Sequence, residues 1–151
     1  MPRQRSPRPC AATPDAEREE LMSDDLPTLI RHDDPERQSR RDDRHGHFEF
    51  QDVVDGAAGP TSGLAHTIVK FDEGGHEAPH SHGVARTVHV LEGSGEVVIG
   101  DKTHALEKGD TVFVPAGVTH ALRAPAGPLR VFCSFPADSL DAIGHNFDGE
   151  E

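Results

Sequence analysis

From residue 47 onward the chain is a series of short segments in which apolar and polar residues alternate, separated by glycine, proline and aspartate. Alternation with a period of two is typical of a half-buried β-strand, and many short strands at close spacing favour a sandwich or a barrel. The candidate strands are residues 63–71, 86–93, 95–106, 110–115, 119–124 and 129–135, and the third contains the hairpin turn pair Gly100-Asp101. The pattern predicts one all-β domain over residues 47–151.

The first 46 residues differ in composition from the rest. Residues 1–46 contain nine arginines and eleven aspartates or glutamates, and their aliphatic cluster is limited to Leu26, Leu29 and Ile30. Such a segment cannot bury enough apolar surface to offset the entropy lost on ordering. We therefore predict a disordered, flexible N-terminal extension. The run that begins at Met22 also reads like a natural start of translation, which is a second hypothesis.

The overall charge excludes several classes of protein. There are 15 lysines and arginines against 27 aspartates and glutamates, which gives a formal net charge of −12. This balance argues against a nucleic-acid partner, because nucleic-acid binding needs a basic surface.

No apolar run is long enough to span a membrane, and the first 30 residues lack the apolar core of a secretory signal. Cys10 and Cys133 do not make a disulfide framework. We expect a cytoplasmic protein with no membrane partner.

Three histidines suggest a metal site. His80 and His82 are separated by one residue, so on a strand both imidazoles point to the same face. Two imidazoles on one face can share a metal ion. His120 enters a later candidate strand, which a closed barrel could bring opposite the first. The spacing alone leaves a second interpretation open, in which these are unrelated surface residues of a chain with eleven histidines.

The residues around these histidines resemble the two sequence motifs of the cupin superfamily. Gly74, His80, His82 and Gly93 fit the first motif, and Gly109, Pro115, Gly117 and His120 fit the second. The resemblance covers about residues 63–135 and has both motifs in the correct order. It implies a cupin-type double-stranded β-helix, that is a jelly-roll barrel, with a metal inside and often a homodimer. Residues 47–151 would then be the cupin domain.

The sequence departs from the family pattern at two positions. The motif's glutamate, the family's fourth metal ligand, falls on Arg86, and its final asparagine falls on Ala124. A guanidinium cannot bind a cation, so at most three of the usual ligands remain. Strand parity places Arg86 on the same face as Val88 and Val90, which the resemblance implies is the inward face, and His89 on the opposite face. The alternatives are an outward ion pair of Arg86 with a neighbouring glutamate, or loss of the metal altogether.

Other polar residues are candidates for proton transfer. His76 lies four residues before His80 and has the same parity if the strand is regular, although Pro79 interrupts the segment. His76 is therefore predicted as a fourth ligand or a proton shuttle, and His66 as a core or pocket-lining residue. General acid–base chemistry would be carried by His66, His76 or a carboxylate such as Glu77. The chain has no tyrosine, which excludes the tyrosine-dependent chemistries of some cupins.

These observations combine into one predicted function with two alternatives. His80, His82 and His120 would bind one divalent metal, most favourably Fe(II), with Zn, Mn or Ni possible. Three neutral imidazoles leave the ion at its full positive charge, which favours an anionic ligand. Some oxygenase branches of the superfamily are similar in using three histidines, so we predict a dioxygenase-like oxidoreductase for a small anionic organic substrate, with Arg86 and His76 as catalytic residues. The alternatives are a non-catalytic small-ligand-binding cupin and a redox-neutral isomerase, lyase or cyclase.

Overall fold

The alternating segments form the strands of one antiparallel sheet that closes on itself. The computed structural model describes residues 29–57 and 61–147. Its strands are β1 (Arg40–Asp42), β2 (Gly46–Val54), β3 (Ala65–Phe71), β4 (His76–Glu77), β5 (His80–Ser81), β6 (Arg86–Ile99), β7 (Lys102–Glu107), β8 (Thr111–Val114), β9 (His120–Arg123), β10 (Leu129–Phe135) and β11 (Asn146–Phe147). The helical turns of the described residues are two 3-10 segments, Pro35–Arg37 and Asp141–Ile143. No helix in the described ranges is long and apolar enough to cross a membrane.

Six strands close the barrel. Backbone pairing runs from β2 to β3, β10, β6, β9 and β4, and β4 pairs with β2 again. The strands β1, β5, β7, β8 and β11 attach to this ring as edges or short extensions. Every pairing is antiparallel, as expected for strands joined by tight turns. The predicted all-β jelly-roll class is confirmed.

The alternation of the sequence fixes which side chains enter the barrel. On β10, Leu129, Val131 and Cys133 are buried, whereas Arg130 and Phe132 between them are partly exposed on the outer face. The same rule on β3 and on the first half of β6 fills one end of the barrel with aliphatic and aromatic side chains. Each fully buried side chain of this kind stabilises the fold by about 1.5–3 kcal/mol relative to an exposed one.

Strand β6 is longer than the sequence predicts. Residues 86–93 and 95–99 form one strand of 14 residues, although Gly93 is predicted to end it in a turn. Gly93 has a positive φ, 81°, and lies close to a register shift in the pairing with β10 rather than at a strand end. Because of this irregularity, β6 bends and pairs with β10 and β8 over its first half and with β7 and β9 over its second.

The expected boundary at residue 46 is wrong, because the described part of the fold begins before it. Strand β1 pairs with β2, and β2 itself begins at Gly46. Arg37 is buried and donates from Nε to the carbonyl of Val53 at 2.8 Å. Backbone pairing and this hydrogen bond order a segment that has little apolar surface. The predicted disorder of residues 1–28 and the alternative start at Met22 lie outside the described residues.

Candidate metal centre

Three histidines meet inside one end of the barrel. His80 on β5 pairs directly with His120, the first residue of β9, and His82 follows β5 with the same parity as His80. All three side chains are buried, with 2–3% of their surface exposed. One ring nitrogen of each lies within 4.8 Å of the corresponding nitrogens of the other two. The structure therefore brings together the three residues that the spacing singles out.

Backbone carbonyls fix the tautomer of each ring. The Nδ1 hydrogen bonds are His80 to Ala78 (2.7 Å), His82 to Gly144 (2.7 Å) and His120 to Val118 (2.9 Å). A carbonyl oxygen can only accept, so each Nδ1 carries the proton. Each neutral ring then has its lone pair on Nε2. A hydrogen bond from the non-ligating nitrogen is the usual device that orients a metal-binding histidine.

The protonation state of the cluster suits metal binding. Burial, assisted by the positive charge of Arg86, lowers the pKa of His82 to about 2 and that of His120 to about 4. Both rings are thus neutral at neutral pH, the form that binds metals. The Nε2 atom of His82 is buried and has no hydrogen-bond partner among the described residues. This unpaired acceptor and the three-nitrogen donor set fit a divalent metal ion.

Arg86 lies inside the cluster, as strand parity predicts, so the outward ion pair does not form. Its side chain is 3% exposed. Its Nη1 donates to Nε2 of His120 at 2.9 Å and lies 3.5 Å from Nε2 of His80 and 3.4 Å from Oε1 of Glu77. Its Nη2 donates to Sγ of Cys133 at 3.1 Å. The guanidinium therefore touches two of the three nitrogens that would ligate a metal.

Glu77 on β4 supplies the negative charge that balances Arg86. Its carboxylate is buried, and Oε1 accepts the backbone N–H of Leu122 at 3.2 Å. Burial alone would raise the pKa of Glu77, but the charge of Arg86 and the Leu122 amide contribute to holding it below its usual value. The family pattern expects a carboxylate at position 86. Here an arginine occupies that position and the carboxylate comes from β4.

The structure corrects the role predicted for His76. On β4 it is Glu77 that points into the barrel, so His76 points outward and its ring makes an edge contact with His47 at 5.4 Å. His76 is absent from the described residues that line the cavity beside the cluster. The parity argument fails because Ala78 and Pro79 interrupt the strand between β4 and β5.

His66 is also placed differently from the prediction. It lies on the outer face of β3, where its Nδ1 is 2.8 Å from the Ser134 hydroxyl and its ring stacks on Phe132 at 4.7 Å. The inward positions of β3 belong to residues of the opposite parity. His89 lies outside the pocket as predicted, with its Nδ1 2.8 Å from the hydroxyl of Thr111.

Sequence reasoning missed two histidines at the mouth of the site. The ring of His145 lies 4.7 Å from that of His82 and 5.9 Å from that of His80. His45, from the turn before β2, stacks on Phe147 at 3.9 Å. The alternation of His145 and Phe147 was the available signal, but a two-residue strand such as β11 is too short to recognise from its pattern.

A cavity of about 480 Å³ opens beside the cluster. One part of its lining is apolar, with four of the chain's seven phenylalanines and three aliphatic residues: Phe48, Phe50, Val69, Phe135, Leu140, Ile143 and Phe147. The rest of the lining is mostly polar and includes three aspartates: Arg40, Asp42, His45, Asp52, Thr67, Glu77, His80, His82, Arg86, Asp141, Gly144 and His145. This volume is in the range of pockets that hold small organic molecules. The lining suits a ligand with an apolar ring and a charged group.

The fold and the site together define a small β-barrel protein with a buried three-histidine centre. The family model described as a cupin domain matches residues 67–135, which contain all three histidines and Arg86. Residues 67–135 form a cupin domain. A comparison with curated proteins found no match.

Several solved structures are similar to this chain over most of its length. The polyketide cyclase RemF from Streptomyces resistomycificus is 19% identical, with 83% of this chain and 88% of that chain covered and a TM-score of 0.68. KdgF from Halomonas sp. is 21% identical, with 77% and 98% covered and a TM-score of 0.62. A salicylate 1,2-dioxygenase from Pseudaminobacter salicylatoxidans is 27% identical, with 62% of this chain but only 27% of that chain covered and a TM-score of 0.53.

Proposed function

We propose that this chain is an Fe(II)-dependent oxygenase that acts on a small anionic substrate. The observation that carries the proposal is the arrangement of His80, His82 and His120, in which each Nδ1 is tied to a backbone carbonyl and one ring nitrogen of each residue lies within 4.8 Å of the other two. These residues would hold the metal. Imidazole ligands also suit Zn, Mn or Ni, so the choice of iron is a separate claim from the existence of the metal site.

The charge of the site supports an anionic substrate. Three neutral imidazoles would not reduce the double positive charge of the ion, and Glu77 is already matched by Arg86. The other carboxylates of the cavity, Asp42, Asp52 and Asp141, do not belong to the three-histidine cluster. When bound, Fe(II) would supply oxygen activation and Lewis acidity. Arg86 would orient the substrate, because a guanidinium can donate two parallel hydrogen bonds to a carboxylate. The four phenylalanines of the cavity would hold an apolar ring and exclude water.

The likeness to salicylate 1,2-dioxygenase supports the same substrate class. Its name states that it oxygenates an aromatic carboxylate, and one structure of that enzyme holds gentisate. A ring with a carboxylate and a hydroxyl group matches the two parts of the cavity described above. The predicted homodimer stays a prediction.

A specific contact favours a second candidate, a non-catalytic cupin that binds an anion without metal. Because Nη1 of Arg86 lies 2.9 Å from Nε2 of His120, the guanidinium could serve as the permanent cation of the site. In that case Arg86 alone would hold the anion.

Oxygen uptake tests the proposal. The protein is loaded anaerobically with Fe(II) and then mixed with oxygenated buffer containing salicylate, gentisate, catechol or benzoate. We expect one O₂ consumed per molecule of substrate with no added reductant, because a dioxygenase places both oxygen atoms in the product and the substrate supplies the electrons. Uptake should disappear in His120→Ala and persist in His89→Ala, a matched control outside the pocket.

The other outcomes identify the alternatives. Metal-dependent substrate loss without oxygen uptake would replace the oxygenase with a redox-neutral isomerase, lyase or cyclase. Saturable anion binding that needs neither metal nor turnover, seen as a thermal shift, would favour the binding cupin.

A further inference from the structure

We infer that Arg86 competes with the metal for His120, so that a metal ion and an anionic ligand bind to this site cooperatively. The inference rests on the proposed function, because it assumes that the three histidines hold a metal. It adds a condition: without an anion, the protein binds metal weakly.

The competition follows from the single lone pair on His120. Its Nδ1 donates to the carbonyl of Val118 at 2.9 Å, so only Nε2 can accept or ligate. That lone pair accepts Nη1 of Arg86 at 2.9 Å. One lone pair cannot serve a guanidinium and a metal ion at once. Ligation by all three histidines therefore requires the guanidinium to leave His120.

Several contacts hold Arg86 in place. Glu77 lies 3.4 Å from Nη1, Cys133 accepts Nη2 at 3.1 Å, and the guanidinium carbon lies 5.6 Å from the ring centre of Phe135. Arginine does not lose its proton in proteins, so its charge cannot be titrated away. A metal that approaches the histidines meets this fixed positive charge in a buried, weakly screened environment.

An anion in the cavity would release the guanidinium. Arg86 is part of the cavity lining, and its Nε atom is buried without a hydrogen-bond partner among the described residues. A carboxylate offers two acceptor oxygens to a guanidinium in bidentate geometry. By taking the Nη1 donor it would free Nε2 of His120, and its negative charge would also offset the repulsion between Arg86 and the metal.

Thermodynamic linkage makes this coupling reciprocal. The factor by which the anion tightens metal binding equals the factor by which the metal tightens anion binding. Couplings between two ligands are typically about 5- to 150-fold. The arginine at the position of the family's glutamate would thus make metal binding depend on an anion that engages its guanidinium.

Cobalt titrations test the inference. Co(II) is titrated into the metal-free protein, alone and with benzoate, acetate or phosphate, and with benzamide as the neutral counterpart of benzoate. In wild type we expect at least one anion to lower the cobalt Kd by about tenfold or more, and benzamide to leave it unchanged. In Arg86→Met we expect tight cobalt binding without any anion, and a much smaller further effect of the anions than in wild type.

Arg86→Met leaves Glu77 buried without its ion-pair partner and can fail to fold. The double variant Arg86→Met/Glu77→Gln removes both charges and should show the same anion-independent cobalt binding. Circular dichroism and thermal melting identify which variants are folded.

The possible outcomes distinguish a failure of this inference from a failure of the proposed function on which it rests. Wild type that binds cobalt as tightly as the variants, or whose cobalt Kd no anion changes, overturns the inference while the metal site stands. Coupling that is undiminished in the folded Arg86 variants also overturns it, because the anion would then act through the metal and not through Arg86. Absence of cobalt binding in every folded form overturns the proposed function and the inference with it.

Discussion

The two ends of the barrel interior are built on the same face of the same strand, yet they are held together differently. On β6, Arg86 faces the histidine cluster, whereas Val88 and Val90, two and four residues later, are fully buried in the apolar part. At the apolar end, any apolar side chain that packs well stabilises the core. At the polar end each buried nitrogen or oxygen needs a partner, because an unpaired one costs about 1–3 kcal/mol. The side chains, and not the barrel itself, decide which end can bind a ligand.

The largest effect should come from removing one charge at the polar end. Glu77→Leu leaves the guanidinium of Arg86 buried without its carboxylate, and we expect a loss of about 3–5 kcal/mol in the free energy of unfolding. The double variant Glu77→Leu/Arg86→Met should lose less than the single variant, because no buried charge remains. Urea unfolding of both variants measures the difference. Equal losses would mean that the pair does not stabilise the site.

A cavity at the apolar end should cost nearly as much without touching the site. Leu129 is almost fully buried and lies opposite Gly93 and Phe71 on the neighbouring strands. Leu129→Ala should lower the free energy of unfolding by about 2–5 kcal/mol. The folded protein should keep its cobalt affinity under the same anion conditions. A weakened cobalt affinity would show that the two ends are coupled.

These two ends also differ in how far the sequence predicts them. Parity, combined with the inward face that the family resemblance implies, places Arg86, Val88 and Val90 inside and His89 outside, because a regular strand alternates. The parity prediction fails for His76, because the strand is interrupted at Pro79 and the alternation does not continue from His76 to His80. The contacts of the His145 ring are not predicted either, because the alternation of His145 and Phe147 is too short a pattern to recognise. The same holds for strand β1, which is ordered by pairing rather than by apolar burial.

Acid should destabilise the metal-free protein through the polar end. The pKa values of His82 and His120 lie near 2 and 4 in the folded state and near 6.5 when unfolded. Between about pH 6.5 and 4 the unfolded chain therefore binds more protons, so the free energy of unfolding falls as pH falls. The slope approaches about 1.4 kcal/mol per pH unit for each histidine.

Urea unfolding at several pH values in the presence of a chelator measures this slope. His82→Gln should reduce it and His89→Ala should not. A stability that does not change over this pH range in wild type would contradict the buried, neutral state of the two rings.

The smallest effect is expected outside the barrel. His89 is bonded to Thr111 on the outer face, so His89→Ala should change the free energy of unfolding by no more than about 0.5 kcal/mol. It should leave cobalt binding unchanged, which makes it the matched control for every histidine variant inside. A large loss of cobalt affinity would place a metal ligand on the wrong face of β6.

Metal content tests the central claim most directly. Wild type, His120→Ala and His89→Ala are purified anaerobically, loaded with Fe(II) in the presence of gentisate, desalted and measured by plasma mass spectrometry. The three-histidine site predicts about one metal ion per chain in wild type and in His89→Ala, and almost none in His120→Ala. Equal metal content in all three, or none in wild type, would contradict it.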